Sequence, residues 1–254
     1  MAPIAKSVRL LDLVYGAIGL FALLAAWQIV GVSGVAGITV PPLSAVSRVY
    51  ETAPLSALLF RSTQATLRSA AVGFAFGTLL GVATAIVARL VPALRPGLDR
   101  LSVTLNAVPT IALAPIFIIL AGRELTPTLL ATIPVFFIVY VAVSSGLSAS
   151  APVHSAMMTA FGARRRQVLF YLDLPASIPS LLSGLKVSVS AAMIGAVVGE
   201  WFGAPTGLGV VILNTLENFQ VALMWATVLI VASISLAGYG LLTLAERWAE
   251  RRFA

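Results

Sequence analysis

The chain has no cysteine, a single histidine and only two lysines, and charged residues make up 10% of its 254 positions. Each shortage excludes something. Without cysteine there is no disulfide, no thiolate nucleophile and no cysteine-ligated metal. One histidine, His154, rules out a two-histidine zinc helix. Neither Lys6 nor Lys186 follows the glycines of a G-x-x-x-x-G-K-[ST] phosphate loop, so the chain does not bind ATP by that route. A soluble domain carries roughly 25% charged residues. A water-soluble fold of this size would have too few polar side chains to cover its surface, and lipid is the alternative solvent.

What is present agrees. Hydrophobic residues make up 59% of the chain. They gather in stretches of about 20, the length a helix needs to cross ~30 Å of hydrocarbon. Six spans are expected, near Leu13–Val32, Ala65–Ala88, Leu101–Leu120, Pro127–Gly146, Pro179–Gly199 and Val221–Leu244. The fold class is therefore all-α, a polytopic membrane helical bundle in one domain, 1–254, with no hydrophilic domain or linker. The first span is too long for a signal peptide's apolar core and reads as a retained helix.

The net charge is +7 and the pI about 10.6. Membrane orientation accounts for this better than nucleic acid does. With the N-terminus inside, the inside segments hold Lys6, Arg9, Arg89, Arg95, Arg100, Arg164, Arg165, Arg166, Arg247, Arg251 and Arg252. The outside loops hold Arg48, Arg61 and Arg123. That bias places both termini in the cytoplasm. Lys186, near the inner end of the fifth span, reads as a snorkelling residue.

Asp12, Asp99, Asp173, Glu200 and Glu217 fall at span edges or in loops. Little is left near the midplane to carry a coupling proton, which counts against a secondary transporter or channel, the rival reading. No nucleophile or metal constellation marks an enzyme. Small residues four apart form a stripe on the second span (Ser69, Gly73, Gly77, Gly81, Ala85) and another on the fifth (Gly184, Ser188, Ala192, Ala196). Such stripes let helix backbones approach in lipid. Pro109 and Pro115 can each kink the third span. Arg68 and Glu200 fall at similar depth near the outer face, and a charge there is costly unless paired or wetted. They are expected to pair or to line an outer gate.

Two loops exceed a simple turn: an outside one, about Ser33–Gln64, and an inside one, about 147–178. From Ala156 the inside loop reads Ala-Met-Met-Thr-Ala-Phe-Gly-Ala-Arg-Arg-Arg-Gln-Val-Leu-Phe-Tyr-Leu-Asp-Leu-Pro. This resembles the cytoplasmic EAA loop of bacterial ABC importer permeases, with Gly162 on the pattern's glycine and Leu174-Pro175 on its Leu-Pro. Val108-Pro109-Thr110-Ile111-Ala112-Leu113-Ala114-Pro115 is similar to the family's proline-rich third span. Val197-Val198-Gly199-Glu200 followed by Gly207-Leu208-Gly209 is similar to its fifth-span exit. One departure stands out: the glutamate of the pattern falls on Ala156 and its two alanines on Met157 and Met158.

The resemblance covers almost the whole chain and is nearest the nitrate, sulfonate, taurine and bicarbonate branch, which includes uptake of thiamine precursors and other small heterocycles. It implies a permease subunit, itself not an enzyme, of an ATP-driven importer in the bacterial inner membrane. It implies a coupling helix, about Ala151–Phe161, between spans four and five. The ATPase-coupling residues would be Ala156, Met157, Met158, Gly162, Ala163, Arg164, Arg165, Leu174 and Pro175. Implied partners are cytoplasmic ATP-binding cassette subunits, which hold the ATP and magnesium, an extracytoplasmic solute-binding protein, and a second copy of the chain.

Overall fold

The computed structural model describes residues 4–149 and 152–253. Among them no strand occurs, and the helices follow the apolar stretches of the sequence. Helix α1 spans Ile4–Ser33, α2 Leu43–Glu51, α3 Ala53–Leu90, α4 Arg95–Ala107, α5 Thr110–Ala121 and α6 Thr126–Gly146. After them come α7 (Pro152–Ala160), α8 (Arg165–Val168), a π turn (Leu169–Asp173), α9 (Leu174–Glu200), α10 (Leu208–Glu217) and α11 (Val221–Phe253). Five helical stretches are long and apolar enough to cross a membrane, and the bent pair α4–α5 makes a sixth.

That pair corrects the third span. Instead of one rod there are two helices meeting at 96°. The break falls at Val108–Pro109, where Val108 is extended (φ −74°, ψ 123°) and Pro109 stands as N-cap of α5. A proline disfavours the helical conformation in the residue before it, so Val108 leaves the helix. Pro115 remains inside α5.

The outside loop is also more ordered than expected. It holds a 3₁₀ turn (Gly37–Thr39), α2 and the first turns of α3. Pro54 sits in the first turn of α3, where the missing N–H costs no intrahelical bond. With 38 residues at ~1.5 Å each, α3 outreaches the ~30 Å hydrocarbon layer. The Tyr50 hydroxyl on α2 donates to the carbonyl of Ala226 at 2.8 Å, and burial pushes its pKa up.

The core is a three-helix sandwich with α6 in the middle. Helix α3 runs parallel to α6. A Cβ at Gly73 would lie 2.6 Å from that of Ala131, Gly77 backs onto Thr132 and Val135, and Gly81 onto Val139 and Tyr140. Helix α9 runs antiparallel along the other side of α6. Gly184 meets Ala142, Gly195 meets Ala131, Gly199 meets Pro127, and Gly146 of α6 meets Ser177 and Ser180. Leu130, Ala131, Val135, Val139 and Val143 are sealed between the two. The small-residue stripes of the sequence are thus these two faces, and lipid-solvated helices gain most by such close backbone approach. Helix α11 lies against α9, where a Cβ at Gly238 would press on Val189.

Helix α1 stands apart. Its far end is pinned by Trp27, whose indole donates to the Pro41 carbonyl at 3.0 Å and meets Trp225 edge-on at 4.8 Å. None of its membrane-crossing window is buried within the chain.

Candidate functional site

The loop between α6 and α9 is a small structure of its own. Of the expected coupling helix, Ala151 lies outside the described residues, and Pro152–Ala160 are helical. Val153, Met157 and Phe161, four apart and therefore on one face, are 73%, 53% and 84% exposed. Ser155 and Thr159 lie on the opposite face. Ala156 is exposed and Met158 half-buried.

A Schellman motif ends the helix. The Ala163 N–H donates to the Met158 carbonyl and the Gly162 N–H to that of Thr159, each at 2.9 Å. Gly162 has φ +83°, the left-handed conformation such an end requires. A Cβ there would meet nothing within 4 Å. The demand for glycine at 162 is therefore one of backbone conformation, not of space. Arg164, Arg165 and Arg166 are exposed. The Arg164 N–H donates to Gln167 Oε1 at 2.7 Å, opening α8. Val168 and Leu169 are buried. Leu174 packs against the main core cluster, and Pro175 occupies the first turn of α9, so the Leu-Pro of the sequence is where the loop rejoins the bundle.

Three carboxylates stand on this side of the molecule, each against a group from another element. Asp173, 1% exposed, takes the Arg89 guanidinium at the end of α3: Nε lies 2.8 Å from Oδ2 and a terminal nitrogen 2.7 Å. Asp99 on α4 accepts the Tyr140 hydroxyl of α6 at 2.5 Å. Glu246 on α11 meets Lys186 of α9 at 2.5 Å and also accepts the Ser183 hydroxyl. Lys186 therefore does not snorkel alone. It is tied across the α9–α11 interface, with its ammonium 5.5 Å from the Tyr239 ring centre. Sequence reading missed the pair because its members are sixty residues apart. The one available signal was a glutamate at a matching depth near the end of the last apolar stretch.

The opposite end, called here the far end, is built around Glu200. Its side chain is 2% exposed. Oε2 accepts the Gly209 N–H at 2.7 Å, and Oε1 has no partner among the described residues. The Leu208 N–H goes to the Thr66 hydroxyl of α3 at 2.8 Å. These are two of the donors left over at the start of a helix, so Glu200 and Thr66 together cap α10. The carboxyl lies flat on Gly207, where any Cβ would overlap it, and a Cβ at Gly209 would strike the Val197 carbonyl. No ion pair joins Glu200 to Arg68. Arg68 is exposed and lines a cleft of about 360 Å³ with Ser69, Glu124, Thr128 and Thr206. The expected pairing is thus replaced by a backbone cap, and the sequence signal was Gly207-Leu208-Gly209 opening a helix after the acid. No cluster of three or more metal-ligating side chains occurs among the described residues.

Residues 77–253 match the family of binding-protein-dependent transport system inner membrane components. Among curated proteins, a probable ABC transporter permease of Haemophilus influenzae is 33% identical over 72% of this chain and 75% of its own length. The formylaminopyrimidine transport permease ThiX of Halalkalibacterium halodurans is 30% identical, covering 77% and 79%. The putative aliphatic sulfonates transport permease SsuC of Bacillus subtilis is 29% identical, covering 89% and 82%. In fold, the chain is similar to an inward-facing MetNI methionine ABC transporter structure, with TM-score 0.68 and 16% identity over 78% of this chain and 99% of that one.

Proposed function

The chain belongs to the family of binding-protein-dependent transport system inner membrane components, as a multi-pass inner-membrane permease subunit of an ABC importer, and from that premise we propose that α7 is the element by which a separate ATPase drives it. The secondary-transporter and channel reading falls with the family membership. The observation that carries the proposal is the apolar stripe Val153, Met157 and Phe161, presented outward on a short helix beyond the bundle. A helix laid into a groove is read through anchors at this spacing. The loop end then faces the cytoplasm together with both termini, the orientation that the arginine distribution favours. The ATPase binds the nucleotide and magnesium.

Gly162, Ala163, Arg164 and Arg165 shape the exit of this helix, and Leu174-Pro175 fasten it to the core. With Ala156 at the family's acidic position, Met157 supplies adaptable apolar contact instead. A second copy of the chain completes the solute path, and a soluble binding protein delivers the solute at the far end, where Arg68 and the capped Glu200 border the outer gate. The relatives named for formylaminopyrimidine and aliphatic sulfonates support a small polar or heterocyclic solute.

The test is affinity capture of the tagged chain from its native membrane in mild detergent. A nucleotide-binding subunit should follow wild type in stoichiometric yield and be lost from Met157→Asp, which remains inserted. A clean capture of the chain with no ATPase would overturn the proposal.

A further inference from the structure

The loop between α6 and α9 contains one acid, Asp173, and it does not face the surface that α7 presents. It lies at the back of the loop, 1% exposed, holding Arg89. Between this pair and α7 is a cleft of about 330 Å³, lined by Arg89, Ser155, Thr159, Ala163, Arg165 and Asp173. Helix α7 therefore has two unlike faces. Val153, Met157 and Phe161 point outward, and Ser155 and Thr159 border the cleft above the ion pair. The pair also joins two elements: Arg89 occupies the last turn of α3, and Asp173 closes the π turn that leads into α9. Arg89 sits where the dipole of α3 favours a cation. The π turn that carries Asp173 interrupts an otherwise continuous helix from Arg165 to Glu200, and such bulges concentrate at functional positions.

We propose that Arg89 and Asp173 are positioning residues of the coupling loop: the ion pair forms the seat beneath the polar face of α7 and sets the angle at which the helix offers its apolar stripe to the ATPase. The inference rests on the reading of α7 as the docking element and adds a second attachment to it. Through Leu174-Pro175 the loop is tied to α9. Through Arg89 it is tied to α3 as well, so a push on α7 reaches both outer helices of the α3–α6–α9 sandwich. A glutamate on the coupling helix is missing, since Ala156 stands there, and the loop's one carboxylate serves from below.

The absence of cysteine allows a direct test. Spin labels are placed on cysteines introduced at His154 on α7 and at Val141 on α6, which is 45% exposed. Their distance is measured in the wild-type background, in Arg89→Gln, in Arg89→Lys and in the exchange Arg89→Asp with Asp173→Arg. A single narrow distance is expected in wild type. Arg89→Gln should lose it for a broad distribution while the protein remains folded and membrane-inserted. Lysine should restore most of it, and the exchange should restore it in part, because an aspartate in the last turn of α3 opposes that helix's dipole. An unchanged narrow distance in Arg89→Gln overturns the proposal. So does a broadening that neither Arg89→Lys nor the exchange reverses, which would mark a merely structural role. Capture of the ATPase by the wild-type chain is scored separately. Its failure would sink the docking reading, whereas the label distances report the seat alone.

Discussion

The two ends of the bundle bury carboxylates by different means. At the loop end, the buried Asp173 and Glu246 each face a side chain from another helix, an arginine and a lysine, and the half-exposed Asp99 faces a tyrosine. At the far end, Glu200 faces backbone, the N–H of Gly209 at the start of α10. A side-chain pair survives small shifts of its helices, because long side chains follow one another. A carboxylate pressed on Gly207 and bound to a main-chain N–H tolerates none without losing its hydrogen bond. The loop end is thus built to yield and the far end to stay in register, which suits the proposed docking of an ATPase at the loop end.

The strongest way to break this contrast is steric. Gly209→Val would drive a side chain into the Val197 carbonyl and the Glu200 stem, and because the carbonyl is main chain and cannot swing aside, the cost should exceed the about 1–3 kcal/mol usual for overpacking. The variant should accumulate poorly in the membrane and unfold at markedly lower temperature in detergent. Gly162→Val at the loop end meets no atom and carries only the left-handed penalty of roughly 1–2 kcal/mol. If the two variants melted alike, the distinction between a space-limited and a conformation-limited glycine would be wrong.

Next in size is the lysine pair. Lys186→Met leaves Glu246, whose side chain is 10% exposed, without its cation among apolar helices, and breaking a buried pair in this way costs about 3–5 kcal/mol. Part of that is relieved here by the Ser183 hydroxyl, so the observed loss should fall at or below the lower bound. The double change Lys186→Met with Glu246→Leu should recover most of the stability, measured by thermal unfolding in one detergent. Failure of the double change to recover would mean that the pair does more than neutralise itself.

The smallest effect sharpens the comparison most. Glu200→Gln keeps an oxygen for the Gly209 N–H and nearly the same volume, so it should cost less than about 1 kcal/mol, the net worth of an ordinary hydrogen bond. Asp173→Asn strips the counter-charge from Arg89 and should cost about 1.5–3 kcal/mol, reduced because Arg89 is 35% exposed. A reversal of that order would show that Glu200 depends on a cation.

Much of the bundle was legible because lipid simplifies the code. The stretches that became α1, α3, α6, α9 and α11 announce themselves by length and apolarity. The glycines of α3 and α9 announce which faces touch, although not that α6 would be what they touch. Helices α2 and α10 were missed. Each is too short to cross a membrane, and each is stabilised by contacts distant in sequence: Tyr50 on Ala226, and Thr66 and Glu200 on the start of α10. The prolines at 109 and 115 look alike in the sequence, yet only the first breaks the chain. Periodicity carries no information about which of two prolines a tertiary fold will accommodate. In the loop, Gly162 and Leu174-Pro175 could be found from the resemblance to the family's loop pattern. The partnership of Arg89 with Asp173, eighty-four residues apart, could not.

The glycine-lined faces on both sides of α6 also constrain how the protein is made. Synthesis delivers α3 first, then α6, and α9 only after the loop has been translated, and early segments begin to organise while later ones are still being added. Until residues near 200 have entered the bilayer, the side of α6 that meets Gly184, Gly195 and Gly199 is bathed in lipid or held by the insertion machinery. A released chain truncated between positions 146 and 174 would therefore be a half-built sandwich, its central helix bound on one flank and bare on the other. The sandwich around α6 is complete only once the fifth span has arrived.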